Sequence, residues 1–344
     1  MSAEKSMDIV VPSATYPGEK RVMVLPASAK ILVEAGHNVC VQAGAGNGIN
    51  VPDGAYLNVG AKIISEPEIL YAHAKKGMVV TLKAPSSEEF SLMRETILFC
   101  MLHIGQNTER IYYMGSNQIV GLAMESIRDG KGKRRVDQTD ITGQMGVYYS
   151  IRHFQRMPDE MNAVVLGYGN VSTGAIAACS KLGIKCKIVR KSEFANLPKW
   201  LKEADLLVNG IAWPEKMRRQ NNYLVTREDI RKSKPGMIVL DLSVDFPSPI
   251  ETLHPTDYQN PYYFEEGRVH ISIYGYPGLV PISSSRIYSE QLGPMILAIA
   301  NNGGLLGIGR LGELGRQIRK AIIDPLKFGW ERYRPGQKEI SPIE

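Results

Sequence analysis

Residues 163–191, AVVLGYGNVSTGAIAACSKLGIKCKIVRK, constrain the fold more than any other stretch. A short apolar run leads into Gly167-Tyr168-Gly169. A helix of small residues follows, and then a second apolar run that ends on Arg190 and Lys191. This pattern predicts a strand, a tight turn, a helix and a second, parallel strand. Glycines in the turn let backbone N–H groups approach a pyrophosphate at the helix N-terminus, where the helix dipole favours negative charge. The dinucleotide fingerprint is G-x-G-x-x-G. Here its third position is Ser172, small enough for close packing, with Gly174 two residues later. Gly167, Gly169, Asn170, Val171 and Ser172 are therefore candidate cofactor residues.

The end of the second strand selects the cofactor. NAD-binding units carry an acid there for the ribose 2′-hydroxyl. This chain has Arg190, Lys191 and Ser192. A guanidinium pairs with a 2′-phosphate that a carboxylate would repel. The expected cofactor is NADP, as NADPH.

The 344 residues exceed one ordinary core and suit two domains. A net charge of +6 suits an anionic small ligand and gives no reason to invoke nucleic acid. The four cysteines and six histidines show no metal spacing, so no metal is expected, and the cysteines read as buried free thiols. The N-terminus lacks the build of a signal peptide, and no apolar run reaches membrane-spanning length. A soluble cytoplasmic protein, with no membrane partner, is the expectation.

Apolar runs at 7–11, 38–42, 61–64, 77–82, 97–103 and 118–124 alternate with helical patterns and predict a first α/β domain with a parallel sheet. Residues 128–135 read as a basic solvated loop, and 141–154 as a connecting helix. Further strands are predicted at 205–210, 237–242 and 268–274, and a long helix at 283–301. Residues 303–330 remain helical in pattern despite Gly303, Gly304, Gly307, Gly309, Gly312 and Gly315, so their helix must be held by packing, back on the first domain. The expected division is 1–135 with 285–344 as a discontinuous substrate domain, and 136–284 as the NADP-binding domain.

Four segments join this unit to a known family. They are PGEKRVMVLP with Arg21, VTLKAP with Lys83, FCMLHIG with His103, and VLDLSVD with Asp245. In order and context they resemble the alanine dehydrogenase and pyridine nucleotide transhydrogenase family, over nearly the whole chain. GYGNVSTGA, Arg190-Lys191, LVNGI and YGYPGLVPISSSRIYSEQL resemble most its opine-type branch, the N5-(carboxyethyl)ornithine synthases. The resemblance implies two Rossmann-like domains with parallel sheets, joined by long helices around an inter-domain cleft, in a homo-oligomer. It implies NADPH-dependent reduction of the imine formed from a 2-keto acid, pyruvate foremost, and the amine of an amino acid such as ornithine or lysine. The alternatives are a simple amino-acid dehydrogenase that uses ammonia, and a non-catalytic NADPH-binding or sensing protein.

The resemblance also assigns roles. Residue chemistry alone leaves Arg21 open between a surface cation and a carboxylate clamp; the family makes it the clamp, with Lys83 on the substrate carbonyl or carboxylate. A lone histidine such as His103 is more often a satisfied core residue; the family makes it the general acid/base. Asp245 would assist proton transfer, Glu125 would orient, and Asp241 would be structural. Asn209, Gly210 and Ile211 would line the cofactor. Tyr276 is open between a wall of the amine pocket and a packed aromatic.

Overall fold

The computed structural model describes residues 6–336. They form two compact units. One comprises the chain up to Asp137 together with the chain from Pro281 onward; the other is Gln138–Val280.

The first unit is built on strands β1 (Asp8–Val11), β2 (Asn38–Gln42), β3 (Lys62–Ile64), β4 (Met78–Lys83), β5 (Ile97–Met101) and β6 (Val120–Ala123). The sheet order is β6-β5-β4-β1-β2-β3, all parallel, and the short strand Ile322–Ile323 adds antiparallel to β6. The strands read as continuous apolar runs because both faces are covered. Successive residues serve opposite faces: Ile9 and Val11 enter one core cluster, and Val10 enters another with Cys40 and Val79. The strand order reverses between β1 and β4, which sets the loops that follow these two strands side by side. The loop after β1 is pinned to the helix Pro281–Asn301: Val22 N–H donates to Ser285 Oγ at 3.0 Å and Leu25 N–H to Ser289 Oγ at 2.9 Å.

The second unit carries β7 (Asn162–Leu166), β8 (Lys185–Val189), β9 (Leu206–Asn209), β10 (Ile238–Asp241), β11 (Tyr263–Glu265) and β12 (Arg268–Ile271). Its order is β8-β7-β9-β10-β12-β11, parallel except for β11. Each unit is thus a mostly parallel, helix-covered sheet, the expected two-domain Rossmann-like arrangement. Sequence patterning missed β11. It is three residues long, and it joins β12 through Glu266 and Gly267, at φ 49° and 69°, a two-residue turn with positive φ at both positions.

One expectation is corrected. Residues 303–330 are not one helix. Gly303, Gly304 and Gly312 take φ of 75°, 80° and 56°, and the segment divides into a 3₁₀ stretch Gly304–Leu311, a helix Gly312–Arg319 and the edge strand. The connecting helix is Thr139–Ser150, and it packs on the helix Asn170–Lys181. A Cβ on Gly174 would lie 2.2 Å from Asp140 O, and one on Gly143 would lie 2.2 Å from Val171 O. Gly174 serves this close helix crossing.

Candidate active site

A cavity of about 460 Å³ opens in the first unit where β1 and β4 end, lined by Ser13–Tyr16, Glu19, Lys83 and Glu89 among others. It sits at the point of strand-order reversal, where open α/β sheets bind ligands. Lys83, the last residue of β4, places Nζ 3.3 Å from the centre of the Tyr16 ring. Burial pushes the Lys83 amine down to about 7; Glu19 opposes this and Arg21 adds to it.

Arg21 is buried with Glu19. Nε donates to Oε1 at 2.7 Å and Nη2 to Oε2 at 2.5 Å. Oε1 also accepts the Lys20 and Arg21 backbone N–H groups. Burial alone would raise the Glu19 pKa, but hydrogen bonds and charge from Arg21, with Lys83, hold it below the usual carboxylate value. The two-pronged contact expected toward a substrate is thus made within the chain, to Glu19. Sequence reasoning passed over Glu19, although an acid two residues before Arg21 in an extended loop was there to be read.

His103 lies two residues beyond β5 with φ 42°, an uncommon backbone for a non-glycine residue. Glu125 holds it there: Oε1 accepts His103 N–H at 2.6 Å and Oε2 accepts Leu102 N–H at 3.1 Å. The ring Nδ1 is 4.0 Å from Glu125 Oε1. Arg110 Nη1 donates to Leu102 O at 2.5 Å from the other side. Burial lowers the His103 pKa. Glu125 pulls it up, while Arg110, Arg134 and Lys83 push it further down, so the ring is mostly neutral at pH 7. Lys83 and His103 thus share one electrostatic neighbourhood with Arg21, within one unit.

In the second unit Gly167 takes φ 86°, and a Cβ on it would meet Ile211 Cγ2 at 2.5 Å. A Cβ on Gly169 would meet nothing within 4 Å. Gly169 caps the helix Asn170–Lys181, whose first turn includes Asn170, Val171 and Ser172. Ser172 Oγ is buried 3.2 Å from both Leu166 O and Gly210 O, tying the helix to two strand ends. A Cβ on Gly210 would lie 2.2 Å from that hydroxyl. Open space over Gly169 at a helix N-terminus fits a dinucleotide pyrophosphate, held by the first-turn N–H groups.

Arg190 is exposed at the end of β8, with its guanidinium carbon 5.6 Å from the centre of the Tyr168 ring; Lys191 and Ser192 follow, also exposed. The reading that no acid stands at this strand end needs correction. Glu193 turns back onto it, accepting Arg190 N–H at 3.2 Å and pairing with Lys187 Nζ at 2.8 Å. Its charge is thereby matched within the chain.

Asn209 does not turn its side chain outward to a cofactor. It is fully buried, and Nδ2 donates to Asp241 Oδ1 at 2.8 Å. Tyr276 is likewise fully buried and donates its hydroxyl to Asp241 O at 2.7 Å; it is a packed aromatic, not a pocket wall. Asp245 follows Val244 (φ 52°), accepts Trp213 N–H at 3.4 Å, and lies 3.9 Å from Arg218 Nη1. Arg218 and Trp213 had no motif to announce them.

Comparison with known proteins gives one consistent answer. The profile of the alanine dehydrogenase/PNT N-terminal domain matches residues 10–142, and that of the C-terminal domain matches residues 186–308. The alanine dehydrogenase of Methanococcus maripaludis is 27% identical over 86% of this chain and 88% of its own. That of Staphylococcus epidermidis is 26% identical over the same shares. Among solved structures, an L-alanine dehydrogenase superposes with a TM-score of 0.81 at 25% identity, covering 92% of this chain and 94% of that one. A transhydrogenase from Sinorhizobium meliloti shares the fold, with a TM-score of 0.73 at 21% identity over 85% and 93%.

Proposed function

The chain belongs to the alanine dehydrogenase and pyridine nucleotide transhydrogenase family, and from that premise we propose that it is an NADP-dependent oxidoreductase joining a 2-keto acid to the amine of an amino acid through an imine. The observation that carries the reading is the grouping of buried Arg21, depressed Lys83 and mostly neutral His103 in one unit.

The work divides by chemistry. Glu19 holds the Arg21 guanidinium in a fixed plane through two of its donors. A guanidinium has five, which suits it to a keto-acid carboxylate as well. Lys83, when protonated, draws charge from the keto carbonyl and favours attack by the amine. Neutral His103 relays two protons in turn from the attacking nitrogen to the carbonyl oxygen, the first forming the hydroxyl and the second releasing it as water, so that the imine forms. NADPH, when bound, supplies the hydride that reduces the imine carbon. Gly167, Gly169 and the first turn of the helix Asn170–Lys181 hold its pyrophosphate, and Arg190 its 2′-phosphate. Asp245 serves proton transfer at nitrogen. Arg218, beside it, suits the second carboxylate that an amino-acid amine donor carries and ammonia lacks.

The alanine dehydrogenase relatives favour a second reading, with ammonia as the amine. NADPH oxidation with pyruvate plus ammonia, against pyruvate plus ornithine or lysine, separates the two. Faster turnover with the amino acids supports condensation; turnover with ammonia alone overturns it.

A further inference from the structure

Asp241, at the last position of β10, touches no surface: it is fully buried. Its carboxylate nevertheless collects four donors from three places in the chain. Oδ1 accepts Asn209 Nδ2 at 2.8 Å, Ser243 N–H at 3.1 Å and Val244 N–H at 3.3 Å. Oδ2 accepts Ser272 Oγ at 3.0 Å. The backbone carbonyl of the same residue accepts the Tyr276 hydroxyl, which also reaches Ile271 O at 3.2 Å. One residue therefore gathers the ends of β9 and β12, the segment after β12 and the turn after β10.

The turn is where this matters. Val244 sits at φ 52°, and a β-branched residue avoids that region because its Cβ substituents crowd the backbone. Strain of this kind persists only where the surroundings over-determine it. Here they do, since the Asp241 carboxylate captures the N–H of Val244 and of the residue before it. The next residue is Asp245. Its own contacts, Trp213 N–H at 3.4 Å and Arg218 at 3.9 Å, are long and do not fix it. Burial raises the Asp241 pKa to about 6 even against its four hydrogen bonds, which marks how costly this charge is to keep inside.

We infer that Asp241, supported by Asn209 and Ser272, is the positioning residue that holds the strained Ser243–Val244 turn and so aims Asp245 at the reacting nitrogen. This rests on the role proposed above for Asp245. Asp241 itself stays out of the chemistry, and what it contributes is acceptor geometry. An asparagine whose amide oxygen takes the Oδ1 place would accept the same three donors and present its NH₂ to the Ser272 hydroxyl.

The test is a mutant cycle on the full-length protein with NADPH, pyruvate and either ornithine or ammonia. Asp245→Asn is expected to lower kcat by about 100-fold, the loss typical of a proton-transfer group. Asp241→Ala is expected to lower kcat by about 10-fold or more while NADPH affinity, read by its fluorescence, stays within about 2-fold, since the turn and not the cofactor cradle is released. The double variant Asp241→Ala/Asp245→Asn is expected to be no slower than Asp245→Asn, because residues acting through one another are not additive. Asp241→Asn is expected to stay near wild-type turnover. Losses that multiply in the double variant, or a crippled Asp241→Asn, would overturn the inference. So would an unaffected Asp241→Ala beside a crippled Asp245→Asn, and that outcome leaves the proposed reaction standing. An unaffected Asp245→Asn would instead remove Asp245 from the reaction, and the inference with it. Should Asp241→Ala melt at assay temperature, Ser272→Ala takes its place. It removes one supporting donor and leaves the carboxylate, and its smaller loss must likewise vanish in the Asp245→Asn background.

Discussion

Glu125 and His103 meet twice. One carboxylate oxygen accepts the His103 backbone N–H at 2.6 Å and stands 4.0 Å from the ring Nδ1 of the same residue. The carboxylate therefore fixes an uncommon backbone conformation and also raises the proton affinity of the ring it presents. The two effects separate by substitution. Glu125→Gln keeps an acceptor for the backbone but removes the charge that raises the His103 pKa. The pH profile of kcat/KM should shift its histidine limb to lower pH, with a smaller loss of stability than truncation brings, since the amide still accepts one of the two backbone N–H groups. Glu125→Ala leaves the Leu102 and His103 N–H groups without their acceptor, and should cost about 1–3 kcal/mol in stability as well. An unmoved limb in Glu125→Gln would detach the carboxylate from the ring.

Lys83 sets a second pH dependence. Its folded pKa, about 7, lies below its ordinary 10.5. Above about 7 the folded protein has given up a proton that the unfolded chain keeps, so stability contributed by this group should rise between about pH 7 and 10.5. Activity should move the other way, because the role proposed for Lys83 toward the keto acid needs the protonated amine. The kcat/KM for pyruvate should fall as pH rises through about 7, and Lys83→Arg, charged throughout, should lose that limb. A limb that survives in Lys83→Arg belongs to another group.

The proposed preference for NADPH rests on Arg190. Arg190→Asp should lower the preference for NADPH over NADH by about 10- to 100-fold, the worth of charge-assisted hydrogen bonds to a 2′-phosphate. Glu193 should not substitute in wild type, since Lys187 already holds its carboxylate. Steady-state kinetics with both cofactors measures this, and an unchanged ratio would assign the choice elsewhere.

Gly169 and Gly174 look alike in sequence but should fail differently. Gly169→Ala adds a methyl where nothing lies within 4 Å, so the melting temperature should hold while NADPH binding weakens. Gly174→Ala drives a methyl to 2.2 Å from Asp140 O and must push two helices apart, at a cost of about 1–3 kcal/mol. Thermal melts with and without NADPH distinguish the two. Equal effects would deny Gly169 a place in the cradle.

The parallel strands of both sheets were legible because apolar runs bounded by glycine and proline leave little choice of structure. The Gly167–Ser172 turn was legible because each position answers a steric need. What sequence could not show were partners distant along the chain. Asn209 read as a cofactor contact until Asp241, 32 residues on, claimed its amide. Tyr276 read as a possible pocket wall until the carbonyl of Asp241 claimed its hydroxyl. Glu193 lay three residues past the inspected strand end, and only a turn brought it back. The helix read into residues 303–330 failed at glycines whose positive φ is a property of the fold, not of composition.

The central claim, condensation rather than simple amination, is tested most directly by the product. The full-length protein would be incubated with NADPH, pyruvate and ornithine carrying ¹⁵N at its side-chain amine, and the product read by mass spectrometry and NMR. The expected result is one secondary amine that carries the pyruvate carbons bonded to the labelled nitrogen, with NADPH consumed in equal amount. Alanine formed only when ammonia is supplied, with ornithine recovered unchanged, would contradict it.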